Sequence, residues 1–276
     1  MSGLLDQMKK GADGIYGSVA AGGSQQVEID MRRDVATRPY DDYLAEIARH
    51  HSVPVMDSEV RRFLAAIPSN GVICDVGGCW GWIWRDIAKL RPDVTILIVD
   101  FVRENLIHAR MVLDELVDKQ VYLVHGDAKQ LKFPDASIDG YWSVQVSQHI
   151  PELESVYREA FRILKPGGVF CDFVLNNASL TRLVYRVAGR PYHLDGDVEG
   201  RFFLRRASPE NLSLLSGIFK APVRSRFTEI LFSPEFGLVL PGRFGSLLGR
   251  LDSMISGFPV LTGLVARQQS FHLTKR

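Results

Sequence analysis

The chain has 276 residues, a formal net charge of +1 and 46% hydrophobic residues. This length suits one large domain or a domain with additions, and the nearly neutral charge argues against a protein that binds nucleic acid. No apolar run approaches the roughly 18 residues of a membrane-spanning helix, and the three cysteines lack a C-x-x-C pair or the spacing of metal ligands. This cysteine pattern predicts neither a metal site nor a disulfide framework. Residues 1–20 also lack the apolar region of a secretory signal, so we expect a cytoplasmic protein.

Residues 1–57 are predicted to form an N-terminal arm and helix, ahead of a main domain over residues 58–276. The first 26 residues are rich in glycine, serine and alanine and show little periodicity, which is typical of a mobile arm. Helical patterns follow over residues 41–50 and 58–67, and Ser58 is the predicted N-cap of the second helix.

The chain is organised around residues 72–81, which read Val-Ile-Cys-Asp-Val-Gly-Gly-Cys-Trp-Gly. An apolar run into an acid, a glycine-dense turn and a helical pattern from Trp80 to Leu90 predict a strand, a tight turn and a helix. Glycine lacks a Cβ, so the backbone can turn sharply and approach a ligand closely. The N–H groups and the positive dipole end of the following helix favour a nucleotide-like ligand at this turn.

Two kinds of nucleotide site use such a turn. The dinucleotide fingerprint G-x-G-x-x-G fails here, because counting from Gly77 the third position is Cys79 and the sixth is Trp82. The segment from Asp75 to Gly81 instead resembles the acid-apolar-G-x-G-x-G turn of S-adenosylmethionine-dependent methyltransferases, with Cys79 in place of the middle glycine. This difference puts a side chain where the backbone usually passes close to the ligand.

Strand and helix patterns alternate after the turn. Strands are predicted over residues 94–100, 121–124, 138–144 and 169–174, and helices over residues 103–117 and 151–164. Short connections between them predict parallel units in a doubly wound α/β sheet. Asp100 ends the second strand, about 20–25 residues beyond the turn, where a carboxylate can accept hydrogen bonds from a ribose diol. Dehydrogenases and methyltransferases share this geometry, so Asp100 supports a nucleoside ligand without choosing between them.

Three further motifs resemble the small-molecule branch of the class I methyltransferases. They are Gly-Asp-Ala at 126–128, Phe-Pro-Asp-Ala-Ser-Ile-Asp at 133–139 and Leu-Lys-Pro-Gly-Gly at 164–168. Together with the turn, the resemblance covers residues 71–175. It implies a Rossmann-like sheet of seven strands, mostly parallel with an antiparallel last strand, plus N-terminal helices and an insertion in the C-terminal half.

The resemblance also implies a site for S-adenosyl-L-methionine, whose product would be S-adenosyl-L-homocysteine, and no metal. Asp100 would bind the ribose hydroxyls with Phe101 against the adenine, and Asp127 would accept from the adenine amino group. The glycine turn and the end of the fourth strand would face the amino-acid and methionine parts. The complete set of implied cofactor residues is Asp75, Gly77, Gly78, Cys79, Gly81, Asp100, Phe101, Asp127, Ala128, Val144 and Gln145.

The C-terminal half departs from the core pattern. We expect an acceptor lid at about 177–206 and an apolar insertion at about 234–265, at the carboxyl edge of the sheet, where open α/β folds bind ligands. A packing appendage and a homodimer contact are the alternatives for the lid. Other elements are predicted here, namely a helix over 180–188, a helix capped by Ser208 with Pro209 in its first turn, and strands over 223–231 and 269–274.

Arginine is prominent in the lid half, at Arg182, Arg186, Arg190, Arg201, Arg205 and Arg206. The guanidinium group suits bidentate contact with a carboxylate or a phosphate. An acidic or phosphorylated acceptor is therefore one interpretation, and a solvated charged face is the other.

The function implied by the resemblance is transfer of a methyl group from S-adenosylmethionine to a small-molecule or lipid-like metabolite. His149 follows the fourth strand and is the candidate base, because a neutral imidazole can accept a proton near pH 7. The alternative is that His149 only caps the helix that begins near Pro151. Weaker candidates for the acceptor pocket are Tyr16, Trp80, Tyr192 and His193.

Other function classes fit the sequence less well. An NAD-linked oxidoreductase would need the fingerprint that the turn lacks. A non-catalytic methyltransferase-like binding or partner protein is compatible with a side chain at Cys79, although Asp75, Asp100 and Asp127 argue against a decayed cofactor site. A nucleic-acid methyltransferase is disfavoured by the charge and by the lack of an Asn/Asp-Pro-Pro-aromatic motif.

Overall fold

The structure is a computed structural model and describes residues 2–19, 29–30, 33, 43–200, 202–232, 234, 242–256 and 262–276. Part of the predicted arm, part of the predicted insertion at 234–265, and Arg201 therefore lie outside the described residues.

Strands and helices alternate along the described chain. The strands are β1 (Val72–Val76), β2 (Thr95–Asp100), β3 (Val121–His125), β4 (Ile138–Val144), β5 (Leu164–Leu175), β6 (Asp195–Val198), β7 (Phe202–Arg205), β8 (Arg224–Thr228) and β9 (Gln268–Thr274). The α-helices are α1 (Ser2–Leu5), α2 (Tyr43–Ile47), α3 (Val53–Leu64), α4 (Ile87–Leu90), α5 (Arg103–Leu113), α6 (Leu153–Ile163), α7 (Ser179–Val187), α8 (Pro209–Phe219) and α9 (Gly242–Ile255). Short 3₁₀ helices cover Trp82–Trp84, Asp114–Leu116 and Ser147–His149.

Seven strands form one sheet in the order β3-β2-β1-β4-β5-β9-β8. The first five strands pair in parallel, whereas β9 is antiparallel to both of its neighbours, β5 and β8. This arrangement confirms the predicted Rossmann-like sheet with an antiparallel last strand. The strand order changes direction between β1 and β4, and ligands bind at the carboxyl ends of strands beside such a switch point.

The central strands are covered on both faces, as their continuous apolar runs predict. On one face, Trp142 of β4 packs against Phe173 of β5 and Phe63 of α3, with both ring centroids 4.9 Å away. On the other face, Tyr141 stacks on Phe170 with a centroid separation of 5.0 Å. Two apolar clusters therefore hold the sheet rigid and leave its carboxyl edge to carry the site.

The predicted helix start at Ser58 is wrong, because α3 begins at Val53 and Ser58 lies inside it. Pro54 lies in the first turn, where its missing N–H leaves no helical hydrogen bond unmade. The backbone N–H of Ser52 donates to the buried Glu229 carboxylate across 2.9 Å. Glu229 is distant in sequence and fixes the start of α3, so a local sequence pattern cannot reveal where this helix begins.

The predicted continuous helix from Trp80 to Leu90 is also wrong. The chain forms the 3₁₀ turn Trp82–Trp84 and then α4, with Gly81 at a φ of 67° before them. All three side chains of Trp82–Trp84 are buried, and the Trp84 indole N–H donates to Asp75 across 2.7 Å. Burial of three consecutive bulky side chains interrupts the regular helix. The glycine turn is therefore not followed by a long helix with a large dipole.

β5 is longer than the strand predicted over 169–174, because the Leu-Lys-Pro-Gly-Gly motif at 164–168 lies inside it. Ile138 pairs with Leu164 and Gly140 pairs with Val169, with an irregular register between them. Gly167 has a φ of 81° at this irregularity, which a glycine adopts without strain.

The segment after β5 contains α7 and the antiparallel hairpin β6–β7, which forms a separate two-stranded sheet. The helix predicted over 180–188 is confirmed to within one residue at each end. The hairpin was not predicted. Ser208 caps α8 as predicted, and its side chain accepts from the Asn211 N–H across 3.3 Å.

Candidate active site

The glycine turn after β1 brings the backbone against the end of β4. Gly77 has a φ of 71°, and its N–H donates to the Val99 carbonyl across 2.7 Å. A Cβ added at Gly77 would lie 2.0 Å from a methyl carbon of Val146. Glycine is therefore required here both for the left-handed backbone and for the close approach.

Cys79 occupies the middle position of the turn with a φ of 50°. Non-glycine residues adopt this left-handed conformation at a cost of about 1–2 kcal/mol. Its backbone N–H donates to Oδ2 of Asp100 across 3.0 Å. The turn after β1 and the acid at the end of β2 are thus tied together directly.

Asp100 is held by donors on both carboxylate oxygens and is 6% exposed. Oδ1 accepts from the Val102 N–H across 2.8 Å and from the Asn105 amide across 3.3 Å, opposite the bond from Cys79. Hydrogen bonds from N–H groups favour the charged form of a carboxylate. The group is therefore fixed in place as an acceptor that faces the crevice.

Asp127 follows β3 in a tight turn. Its Oδ1 accepts from the Lys129 N–H across 2.9 Å, which orients the carboxylate. A Cβ added at the preceding Gly126 would lie 2.8 Å from Val99, so this glycine lets the loop pass close to β2. The His125 ring lies 3.1 Å from the Phe101 carbonyl, and burial lowers the pKa of His125.

A cavity of about 220 Å³ lies where these loops meet. It is lined by eight of the cofactor residues implied by the sequence, namely Gly77, Cys79, Asp100, Phe101, Asp127, Ala128, Val144 and Gln145. His149 also lines it. The structure thus brings together residues from four strand ends and the candidate base.

Three of the implied cofactor residues support the turn without lining the cavity, namely Asp75, Gly78 and Gly81. Oδ2 of Asp75 accepts from the Trp84 indole, and a Cβ added at Gly78 would lie 2.3 Å from that oxygen. Burial raises the pKa of Asp75 to about 7, and the Trp84 hydrogen bond opposes this rise. Asp75 is thus a buried anchor of the turn.

His149 links the cavity to the hairpin. Its Nδ1 lies 2.8 Å from the Phe203 carbonyl, which can only accept, so Nδ1 carries the proton in this arrangement. Nε2 then accepts from the Gln148 amide across 3.1 Å, and Gln148 in turn accepts from the Leu175 N–H. His149 does not cap α6, whose N-cap residue is Glu152.

The four weaker acceptor-pocket candidates lie outside the lining of this cavity. Tyr16 forms a bridge to Val124 beside β3, and Trp80 is buried with its ring stacked 4.3 Å from His108. Tyr192 and His193 lie at the base of the lid segment. There the Arg206 guanidinium covers the Tyr192 ring at 4.3 Å and donates to the His193 carbonyl.

Sequence reasoning missed one part of the cavity wall. That part includes Ile29, Ile47, His51, Trp82, Val146 and Ile150. The His51 and Trp82 rings lie 6.2 Å apart. No local signal marks these residues, because they come from separate parts of the chain, namely residue 29, α2 and the loop after it, the 3₁₀ turn Trp82–Trp84 and the segment after β4. Only the tertiary fold brings them together.

Within the part of the chain that the structure describes, no group of three or more His, Cys, Asp or Glu side chains could hold a metal ion. Over the same residues, no helix is both long and apolar enough to cross a membrane.

The sequence of residues 74–172 matches the model of a family described as a methyltransferase domain. This range contains the glycine turn, Asp100, Asp127 and His149, which form one site in the structure. The chain contains a class I S-adenosylmethionine-dependent methyltransferase domain.

Curated relatives match parts of this methyltransferase-domain chain. The sterol 24-C-methyltransferase of Aspergillus fumigatus is 48% identical over 99 residues, which cover 36% of the chain and 26% of the relative. That of Neurospora crassa is 33% identical over 138 residues, which cover 48% of the chain and 33% of the relative. The chain thus spans about a quarter to a third of the length of these relatives.

Solved structures share the methyltransferase fold across nearly the whole chain. The 1,6-didemethyltoxoflavin-N1-methyltransferase of Burkholderia thailandensis, solved with 1,6-didemethyltoxoflavin and S-adenosylhomocysteine, superposes with a TM-score of 0.55. It is 15% identical and covers 94% of this chain and 92% of its own. This likeness is one of fold, and it extends to the elements after β5.

Proposed function

We propose that the chain binds S-adenosylmethionine and transfers its methyl group to a small lipid-like acceptor. The observation that carries the proposal is the single cavity lined by Gly77, Asp100 and Asp127 at the ends of adjacent strands. The two oriented carboxylates, Asp100 and Asp127, lie beside a close-packed glycine turn. This arrangement suits a nucleoside with a charged amino-acid tail.

The residues present fit this ligand. Asp100 is fixed by the turn and would accept from the ribose hydroxyls, and Asp127 would accept from the adenine amino group. Gly77 and Gly126 let the two loops pack closely beside the cavity, because a Cβ at either position would clash with a neighbouring valine side chain. When bound, the cofactor would supply an already activated methyl group, so the protein mainly aligns the reactants and excludes water.

The acceptor would lie against the cavity wall that carries Ile47, Trp82 and Ile150. This wall is mainly apolar and partly aromatic, which suits a lipid-like molecule. The curated relatives are sterol 24-C-methyltransferases, and their similarity lends further support to this acceptor class.

An acidic or phosphorylated acceptor has less support. Arg205 donates to the carbonyls of Ile150 and Pro151, and Arg206 donates to those of Asn176 and His193. Guanidinium groups used in this way hold the hairpin to the core and offer fewer donors to a ligand. We therefore favour an acceptor without an anionic group.

His149 remains our candidate for the base. With Nδ1–H donated to the Phe203 carbonyl, the lone pair of Nε2 is the site that can take a proton. The Gln148 amide donates to that lone pair, so it must turn aside before Nε2 can act. Movement of the hairpin and of the 3₁₀ turn Ser147–His149 would provide this change, which fits a lid over residues 177–206.

A non-catalytic binding or partner role is the second candidate, and the side chain of Cys79 at its left-handed position favours it. Such a protein would bind the cofactor without turnover. A cytoplasmic location, a homodimer and the lack of a nucleic-acid partner stay predictions, as do the boundaries of the arm and of the two insertions.

The proposal is tested with purified protein and methyl-labelled S-adenosylmethionine. We expect the protein to bind the cofactor and S-adenosylhomocysteine but not NAD. After incubation with cellular lipids, we expect the methyl label to be extracted into the organic phase with a methylated lipid. Label that stays in the aqueous phase with the cofactor bound would favour the non-catalytic role. Binding of NAD in place of the cofactor would overturn the proposal.

A further inference from the structure

The lid-segment helix α7 turns its apolar side towards solvent. Leu180 is 47% exposed, Leu183 52%, Val184 47% and Val187 81%. Surface helices of globular proteins normally bury such a stripe against the core. Contiguous exposed apolar surface usually marks a site of interaction with a protein or a membrane.

The spacing of these residues makes a single face. At about 100° per residue, the four apolar side chains fall within an arc of about 100°. Thr181 and Tyr185 lie on the next arc and are partly buried, and the Tyr185 ring contacts the Tyr192 ring at 5.3 Å. The helix thus packs on the protein through the face that carries Thr181 and Tyr185, and its apolar stripe faces solvent.

The opposite border of the stripe is basic. Arg182 and Arg186 are exposed and lie about 60–100° from Leu183 around the helix. The sequence from Asn176 to Leu194 contains no acidic residue, so nothing within the segment offsets their charge. An apolar stripe bordered by arginines is the pattern of helices that lie in a membrane interface.

The apolar surface continues beyond α7. The Leu180 N–H donates to the Leu264 carbonyl across 3.1 Å, and the Asn176 amide donates to the Gly263 carbonyl across 2.9 Å. Leu264 is 43% exposed and Val265 36%. Because α7 follows β5 directly, this surface lies at the carboxyl edge of the sheet, the edge that carries the cavity.

We propose that α7 and the adjoining Leu264–Val265 turn dock on a lipid membrane that contains anionic lipids. The apolar stripe would enter the interface between headgroups and acyl chains, and Arg182 and Arg186 would contact lipid phosphates. Charge complementarity favours an anionic membrane as the partner, since two arginines beside the stripe suit a negatively charged surface. The proposal goes beyond methyl transfer, because docking needs neither cofactor nor acceptor.

Sedimentation with extruded vesicles tests the docking. Wild-type protein is expected to bind vesicles of phosphatidylcholine mixed with phosphatidylglycerol, more weakly at high salt, and to bind pure phosphatidylcholine vesicles least. Arg182→Gln and Arg186→Gln should each weaken binding about fivefold, as loss of one cation near an anionic surface predicts. The double variant Leu183→Glu, Val187→Glu should weaken it more than tenfold.

The matched control is Met111→Glu, which changes an apolar side chain of α5 that is 66% exposed. This variant should bind vesicles as the wild type does. Circular dichroism and thermal unfolding of each variant confirm that it folds. The proposal is overturned if wild-type protein does not bind the mixed vesicles, or if the double variant binds equally well. A dimer that the double variant dissociates, without vesicle binding, would instead show a second copy as the partner.

Discussion

The backbone N–H of Cys79 donates to Oδ2 of Asp100 across 3.0 Å, and this bond joins the turn after β1 to the end of β2. A methyltransferase turn with glycine at this position could make the same bond without strain. Here Cys79 holds a φ of 50°, so the bond is kept although the residue type disfavours the conformation. The position of Asp100 therefore depends on the backbone of the turn more than on the side chain of Cys79.

This relationship predicts opposite results for two substitutions at Cys79. Cys79→Gly should keep affinity for S-adenosylhomocysteine at or above the wild-type value, since glycine adopts a positive φ freely. Cys79→Val should destabilise the protein by about 1–3 kcal/mol and weaken binding, because a β-branched residue is strained there. Urea unfolding and calorimetry measure both effects. Equal stability and affinity of the two variants would show that backbone strain does not control the turn.

The buried carboxyl of Asp75 predicts a pH dependence of stability. Its pKa rises from an ordinary 3.8 to about 7, chiefly through burial. The folded protein then holds a proton that the unfolded chain releases, so the free energy of unfolding falls as pH rises from about 4 to about 7. Asp172, whose burial raises its pKa to about 6, contributes with the same sign.

Asp75→Asn keeps an acceptor for the Trp84 indole and removes the titration. The fall in the free energy of unfolding between pH 4 and pH 8 should shrink by about 2–4 kcal/mol. Urea unfolding at both pH values measures the change, with Asp6→Asn as a control at an exposed carboxyl. A pH dependence identical to that of the wild type would mean that Asp75 is ionised in the folded protein.

Much of the fold and of the cofactor side of the site could be predicted from the sequence. The buried strands carry continuous apolar runs, and Gly77, Asp100 and Asp127 stand at strand ends, where local patterns are strong. The acceptor side could not be predicted. His51 and Trp82 meet only after folding, and Glu229 fixes the start of α3 from the far end of the chain.

The hairpin β6–β7 is expected to change its dynamics when the site is filled. His149 lines the cavity and donates to the Phe203 carbonyl, so a ligand that shifts His149 should alter hydrogen exchange in the hairpin. We predict slower exchange over residues 195–205 with S-adenosylhomocysteine and acceptor bound. Unchanged exchange in this segment, with protection gained around Asp100, would make the hairpin a fixed scaffold.

Loss of His149 should affect the rate of methyl transfer more than cofactor binding. His149→Ala is expected to lower the rate by about 10²–10⁴-fold, as removal of a general base does, and to leave affinity for S-adenosylhomocysteine nearly unchanged. His193→Ala is the control, because the hydrogen bond from Arg206 ends on the His193 backbone carbonyl, which the substitution keeps. If His149→Ala loses stability but keeps its rate across pH, His149 only anchors the hairpin.

The central measurement is calorimetric titration of S-adenosylmethionine into the wild type, Asp100→Ala and the exposed control Asp6→Ala. A carboxylate that accepts from both ribose hydroxyls contributes about 1.5–3 kcal/mol per hydrogen bond, so Asp100→Ala should weaken binding roughly tenfold or more. Asp127→Ala provides a second variant should Asp100→Ala fail to fold, and it should weaken binding because the adenine amino group loses its acceptor. Binding that is absent in the wild type, or equally strong in all folded variants, would contradict a cofactor site at these strand ends.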